Sequence, residues 1–236
     1  MMVNITIDGQ KVQAKEGASV LESARGLKID IPTLCYHKDL SSFGACRLCM
    51  VEVKSNGKWK LTTSCTTPIE EGMEIKTASD KVKESRKFSA GMLFYKYPGD
   101  KTVREMAQKL GMDVDTKKGD TQDCILCGLC VRACQEIVDV NALKFIDRGL
   151  DRNVEDPEID FDPMACIGCG SCAYVCPTSY VKMEDTGKCR TIWNKVFKMA
   201  KCSTCGRYFA PQEQLEYISK KTGVPMSKLM VCVSCR

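Results

Sequence analysis

Eight cysteines between residues 124 and 176 constrain this chain more than any other feature. They form two runs, Cys124-x2-Cys127-x2-Cys130-x3-Cys134 and, after 31 residues, Cys166-x2-Cys169-x2-Cys172-x3-Cys176-Pro177. Three thiolates two residues apart can wrap one corner of an iron–sulfur cube, while the fourth cysteine of each run points at the neighbouring cube. The spacing therefore predicts two [4Fe-4S] clusters with interleaved ligands. One takes Cys124, Cys127, Cys130 and Cys176; the other takes Cys166, Cys169, Cys172 and Cys134. Gly128, Gly168 and Gly170 suit loops that wrap a metal through positive φ. A disulfide or zinc scaffold of the same cysteine count fits the doubled spacing poorly. The pattern implies transfer of single electrons.

Seventeen cysteines in 236 residues need one explanation. The N-terminus, Met1 to Gly9, reads as a strand without the hydrophobic region of a signal peptide, and C-x2-C groupings favour metal over disulfides. No apolar run approaches the 18 residues of a transmembrane helix. A soluble, cytoplasmic protein in a reducing compartment is expected, with no membrane insertion. The net charge of +5 is uneven: residues 120–185 hold 5 basic and 13 acidic residues, and residues 186–236 hold 10 and 2. A basic tail can suggest nucleic acid, but no recognised binding motif accompanies it. A tail folded onto its acidic neighbour or onto a partner is the simpler expectation.

The first 77 residues predict a small β-rich unit. Val3 to Ala14 alternates around the turn dipeptide Asp8-Gly9, a hairpin pattern. Ser19 is placed to cap a short helix through Leu21, Ala24 and Leu27. Then come Cys35-x10-Cys46-x2-Cys49-x15-Cys65, with strands expected at Met50–Lys54, Lys58–Ser64 (after a turn at Asn56-Gly57) and Met73–Thr77. The eight-cysteine segment resembles bacterial-type 2[4Fe-4S] ferredoxins. The earlier cysteine spacing, the tripeptide Cys35-Tyr36-His37 and the loop Gly44-Ala45-Cys46-Arg47-Leu48-Cys49 resemble a specific module. It is the [2Fe-2S] domain that opens the large iron–sulfur subunit of respiratory complex I, and it recurs in NAD-linked hydrogenases and formate dehydrogenases. The resemblance implies a β-grasp, ferredoxin-like fold with Cys35, Cys46, Cys49 and Cys65 on a [2Fe-2S] cluster; four cysteines alone also suit zinc. His37, the only histidine, is expected to donate a structural hydrogen bond rather than to ligate.

Residues 78–119 read as a cysteine-free helical connector. Val82, Arg86, Ser89, Met92 and Leu93 recur at helical spacing with a charged opposite face, and Pro98-Gly99 ends that helix. Thr102 is placed to cap a second helix through Val103, Met106 and Leu110 to Gly111. The resembling family places one His and three Cys here for a further [4Fe-4S] cluster; this chain has neither between Cys65 and Cys124. The resemblance resumes from Gln122 to Ile146, through Asp147-Arg148-Gly149, and on to Pro177-Thr178. The acidic stretch 151–162 is expected as a solvated excursion.

In the tail, Cys189 stands alone and reads as a buried free thiol. Cys202-x2-Cys205 and Cys232-x2-Cys235 read as two knuckles of one zinc site, with Pro211 to Thr222 a helix between them. A rubredoxin-like iron or an additional [2Fe-2S] centre is the rival reading. Metal binding would stabilise a unit too small to fold on its apolar content.

The sequence thus predicts an α+β chain in four parts. Residues 1–77 are a [2Fe-2S] domain, 78–119 a helical connector, 120–185 a dicluster domain and 186–236 a basic tail with a four-cysteine site. Gly168-x-Gly170 lies in a cluster loop and is not a dinucleotide fingerprint, and no phosphate-binding loop or catalytic triad accompanies it. Hydride chemistry belongs to flavin or NAD(P)H, so no catalytic site is assigned here. The resemblance implies an electron-transfer subunit of an NAD(P)- or ferredoxin-linked oxidoreductase, of hydrogenase or formate dehydrogenase type. It would stand between a flavoprotein NAD(P)H-binding subunit and a catalytic subunit. A free-standing polyferredoxin is the alternative, and a cluster-based regulator a more distant one.

Overall fold

The computed structural model describes residues 1–55, 57–115, 124–145 and 159–236. The expected turn residue Asn56, the start of the resumed segment at Gln122, the tripeptide 147–149 and most of the acidic excursion lie outside them. The chain divides into two compact units, Met1–Gly128 and Leu129–Arg236.

In the first unit, β1 (Met2–Ile7) and β2 (Gln10–Lys15) form the expected hairpin. Asp8 and Gly9 both have positive φ, 49° and 84°, as a two-residue turn matching the strand twist requires. Helix α1 (Val20–Gly26) opens on a capping box: Glu22 N donates to Ser19 Oγ, and Ser19 N donates to the Glu22 carboxylate. It ends just before Leu27, because Lys28 turns left-handed with φ 64°. Strands β3 (Met50–Ser55), β4 (Lys58–Thr63) and β5 (Glu74–Lys76) complete a mixed sheet ordered β2-β1-β5-β3-β4, in which β1 and β5 run parallel. The alternation predicted for β1 holds: Val3, Ile5 and Ile7 are buried and share one core with Val20, Leu21 and Ala24 of α1.

Helix α2 (Asp80–Lys96) is capped by Ser79, whose hydroxyl accepts from Val82 N and donates to the buried Glu52 of β3. Its buried stripe is Val82, Arg86, Ala90 and Phe94. Met92, expected on that stripe, is exposed, as are Phe88 and Tyr95. Four-residue steps keep one row of the helix against a single neighbour, and the mixed spacing expected from sequence drifts off that row. Helix α3 (Lys101–Lys109) is capped by Asp100 and not by Thr102. The buried Asp100 carboxylate accepts from Val103 N at 2.9 Å, and aspartate outranks threonine as a cap. Gly111, with φ 79°, closes the connector's second helix as expected. Among the described residues no helix is long and apolar enough to cross a membrane.

The second unit begins with α4 (Leu129–Arg132), which runs into a π-helical turn, Ala133–Val138, ended by Asp139 at φ 62°. Strand β6 (Leu143–Phe145) pairs antiparallel with β7 (Ile159–Phe161), so the last residues of the expected acidic loop are strand. After α5 (Ser171–Tyr174) comes a four-stranded antiparallel sheet absent from the sequence reading. Its strands are β8 (Met183–Asp185), β9 (Cys189–Ile192), β10 (Lys195–Lys201) and β11 (Tyr208–Pro211). The tail helix appears as α6 (Gln212–Thr222), directly after Pro211, and a short α7 (Met226–Leu229) follows. Leu215 and Leu229 close a small core on Ala200 of β10.

Candidate metal centres

The first cysteine set converges at one end of the five-stranded sheet. Cys35 and Cys46 lie in the loop between α1 and β3, Cys49 directly precedes β3, and Cys65 follows β4. All four are buried. The sulfurs stand two by two: Cys35 to Cys46 at 3.4 Å and Cys49 to Cys65 at 3.3 Å. Two thiolates on one tetrahedral metal, with bonds of about 2.3 Å, sit about 3.8 Å apart, so each pair fits one metal ion. Gly44 and Arg47, with φ 69° and 55°, bend the loop that makes this possible. The Cys65 thiol, the Cys65 backbone N–H and the Ser64 hydroxyl pull Cys49 down to about 6. Cys46 and Cys65 are pushed up by their partner thiols and by burial. Burial and the neighbouring thiols thus oppose four free thiolates here, and a bound cation would offset both.

Arg86, read from sequence only as part of a helical stripe, is buried here and donates twice to Met50 O, at 3.0 and 2.7 Å. It anchors α2 beside Cys49 and brings a positive charge toward the thiols. His37 Nδ1 accepts from Asp39 N at 3.3 Å, so its structural bond is accepted rather than donated.

In the second unit one pocket is lined by Cys134 together with Cys166, Cys169 and Cys172. Cys134 comes from the π-helical turn, and the other three from the loop entering α5 and its first turn. These are the four residues that the interleaved spacing groups. Burial is the first cause raising the thiols of Cys134, Cys166 and Cys172, the last up to about 12. Gly168 (φ 70°) leaves no room for a side chain, since an added Cβ would stand 2.6 Å from the buried Phe197 ring; at Gly170 (φ 83°) it is the left-handed backbone that favours glycine, the 2.6 Å neighbour being the movable Met183 Sδ. Of the other expected ligand set, Cys127 and Cys130 are buried and Cys124 and Cys176 half-buried; Leu126 and Gly128 have φ 53° and 70°.

Sequence reasoning missed the residues that cover this pocket. Trp193 Nε1 donates to Cys172 Sγ at 3.4 Å. Arg190 donates to Gly168 O (3.0 Å) and Cys169 O (3.3 Å), while Asp185 grips its other face at 2.8 and 2.9 Å. Lys195 Nζ donates to Pro163 O at 2.6 Å and Cys166 O at 3.0 Å. Further along, Lys221 pairs with Asp139 at 2.8 Å and Tyr217 donates to Val138 O and Asp139 O. The basic tail does fold onto its acidic neighbour, and the opposed charges of the two segments were the only signal of it. Cys189 in β9 is half-buried rather than buried.

The tail cysteines Cys202, Cys205, Cys232 and Cys235 bring their sulfurs within 4.8 Å of one another, which suits one tetrahedral ion. Backbone N–H groups of Cys232, Cys205 and Thr204 lower Cys202 to about 5, the first donating at 3.3 Å. Crowding by the other thiols pushes Cys235 up to about 12.

Residues 1–80 match the 2Fe-2S iron-sulfur cluster binding domain family, and residues 123–180 match the 4Fe-4S dicluster domain family. Both matched families are iron–sulfur domains. The chain is similar to proteins named as an NADH-quinone oxidoreductase subunit, an NADP-reducing hydrogenase subunit, a putative formate dehydrogenase and an NAD+-reducing [NiFe]-hydrogenase. Over 202 residues it is 32% identical to the NADPH-Fe(3+) oxidoreductase subunit alpha of Geobacter sulfurreducens, covering 75% of this chain and 24% of that protein. It is 30% identical to an NADH-quinone oxidoreductase subunit of Rhizobium meliloti, over 75% of this chain and 23% of the relative. The NADP-reducing hydrogenase subunit HndD of Solidesulfovibrio fructosivorans is also 30% identical, over 75% and 35%. The chain thus spans about a quarter to a third of these relatives. A chain in the crystal structure of an NAD+-reducing [NiFe]-hydrogenase in the H2-reduced state superposes with a TM-score of 0.52 at 29% identity, covering 62% of this chain and 71% of that one.

Proposed function

We propose that this chain is the electron-relay subunit of a cytoplasmic hetero-oligomeric oxidoreductase, linked to NAD(P) or ferredoxin and of hydrogenase or formate dehydrogenase type. Single electrons would pass through it between a flavoprotein subunit that binds NAD(P)H and a catalytic subunit. The observation that carries this reading is the shared stretch of about 200 residues, 2Fe-2S domain then dicluster domain, in relatives whose names place them in NAD(P)-linked enzymes. Those relatives are subunits, which disfavours a freely diffusing carrier.

Clusters supply one-electron steps, whereas hydride chemistry needs flavin or nicotinamide. In this reading Cys35, Cys46, Cys49 and Cys65 hold one [2Fe-2S] cluster in a β-grasp domain, pairing on its irons as their sulfurs pair in space. Cys166, Cys169, Cys172 and Cys134 hold one [4Fe-4S] cluster, and Cys124, Cys127, Cys130 and Cys176 the other. The pocket that Cys134 shares with the later run supports the crossover. Cys202, Cys205, Cys232 and Cys235 hold one structural zinc that fixes the tail. The parts are then 1–77, 78–119, 120–185 and 186–236.

Anaerobic purification of the tagged chain from its own host tests the reading. A flavin-containing subunit should accompany it, and NAD(P)H should reduce its clusters only in that subunit's presence. A chain that elutes alone and is reduced directly by NADH would overturn it.

A further inference from the structure

The β9–β10 hairpin lies against the Cys166–Cys172 loop, and its turn has an unusual composition. Thr191-Ile192-Trp193-Asn194-Lys195 closes the hairpin with Ile192 opposite Lys195, leaving Trp193 and Asn194 as the two turn residues. Both have positive φ, 51° and 60°. Such turns favour Asn-Gly or Gly-Gly, and a left-handed backbone is costly for a bulky side chain. A residue held there against its own preference is held by its surroundings, and such positions cluster at functional sites. Here the surroundings are specific. The Trp193 ring stacks on Phe161 at 5.9 Å and meets the edge of Tyr180 at 6.4 Å. In that packing the indole N–H is aimed at Cys172 Sγ at 3.4 Å.

Hydrogen bonds to cluster sulfurs and exclusion of solvent are among the levers that set iron–sulfur potentials. A donor on a ligand sulfur favours the reduced cluster, which carries one more negative charge than the oxidised one. Its neighbours from the same hairpin donate elsewhere: Lys195 Nζ and Arg190 Nη1 to backbone carbonyls of the loop and its approach, and Arg190 Nε and Nη2 to Asp185. Among the described residues Trp193 is the hairpin side chain that donates to a ligand sulfur.

We infer that Trp193 is a tuning residue: its indole N–H raises the reduction potential of the cluster ligated by Cys172 and sets it apart from its twin. The inference rests on the cluster reading above. Replacing Trp193→Phe keeps an aromatic ring and removes the donor. An EPR-monitored redox titration of the full chain should show one [4Fe-4S] couple moved to lower potential, with the other and the [2Fe-2S] couple unchanged. Loss of one charge-assisted bond corresponds to about a tenfold change in the ratio of reduced to oxidised cluster at fixed potential, or about 59 mV. A second measurement needs no change at Trp193. The chain has two tryptophans, so Trp59→Phe protein labelled with 15N-indole reports on Trp193 alone. The reduced cluster should show hyperfine coupling to that nitrogen and to an exchangeable proton. Intact signals with unmoved couples, or no nitrogen coupling, would overturn the inference. If the unaltered chain lacks a [4Fe-4S] signal that Cys172→Ser removes, the cluster reading fails instead and takes the inference with it.

Discussion

Gly168→Ala should loosen the second unit far more than an alanine at another left-handed glycine. At Gly168 two costs add. With φ at 70°, an L side chain pays about 1–2 kcal/mol for the left-handed backbone. The new Cβ would also meet three ring carbons of Phe197 at 2.6, 2.8 and 2.9 Å. Phe197 is fully buried, so its ring has no free space to yield into, and overpacking of this kind costs about 1–3 kcal/mol. Gly187 has φ 81° and nothing within 4 Å of a built Cβ, so it carries the first cost without the second. The difference, about 1–3 kcal/mol, is about 5- to 150-fold in an equilibrium or a rate. Unfolding a cluster protein is irreversible, so the readable quantity is a rate. Bleaching of visible absorbance in guanidinium under argon should run about 5- to 150-fold faster for Gly168→Ala than for Gly187→Ala. Adding Phe197→Leu to each should shrink the gap, because the coupled pair shares one contact. Equal bleaching of the two single variants would refute the argument that the ring closes this loop.

Changing Cys134→Ser should first damage the cluster of Cys166, Cys169 and Cys172, seen as selective loss of one [4Fe-4S] EPR signal; a structure with Cys134 on the iron of Cys124, Cys127 and Cys130 would oppose it. Metal analysis of one sample should give about ten iron and one zinc, whereas about twelve iron without zinc would mean an iron–sulfur tail site. Ser19→Ala should cost the first unit about 1 kcal/mol through loss of the α1 cap, read as a lower thermal midpoint. Ser19's backbone and side-chain bonds hold the Glu22 carboxyl below its usual range. The stability it adds is therefore full above the ordinary carboxylate pKa and is lost as pH falls through the lowered value. In Ser19→Ala that acid-side loss should shrink, which melts at pH 7 and pH 4 would check.

Three of the cysteine groupings were legible, because cysteine spacing is a nearly geometric statement about what can surround a cube or an ion. The first hairpin and α1 were legible too, since Asp8-Gly9 and the Ser19–Glu22 box encode their turn and cap locally. What escaped was long-range. Asp100 and Thr102 are both plausible caps, and burial decides between them. Arg86 falls on the expected inward stripe of the helix, but nothing local says that Met50 O takes two of its donors there. The tail sheet escaped because its turn is Trp193-Asn194 rather than Asn-Gly, and because Arg190, Lys195 and Lys198 interrupt the apolar alternation. Two of those charges proved to be anchors for a loop some 20–30 residues earlier, a role with no local signature.

The pocket shared by Cys134 with a run beginning 32 residues later also orders events during synthesis. Cys134 leaves the ribosome well before Cys166, Cys169 and Cys172, and the covering residues Arg190, Trp193 and Phe197 emerge later still. At about 5–20 residues/s the interval from Cys134 to Phe197 lasts several seconds. Until the later run emerges, the Cys134 thiol is open to oxygen or a competing metal without the three cysteines that share its pocket. The last residue that lines the pocket is Trp193, so a metal held there would be enclosed only after most of the chain exists, with the tail hairpin as its late seal.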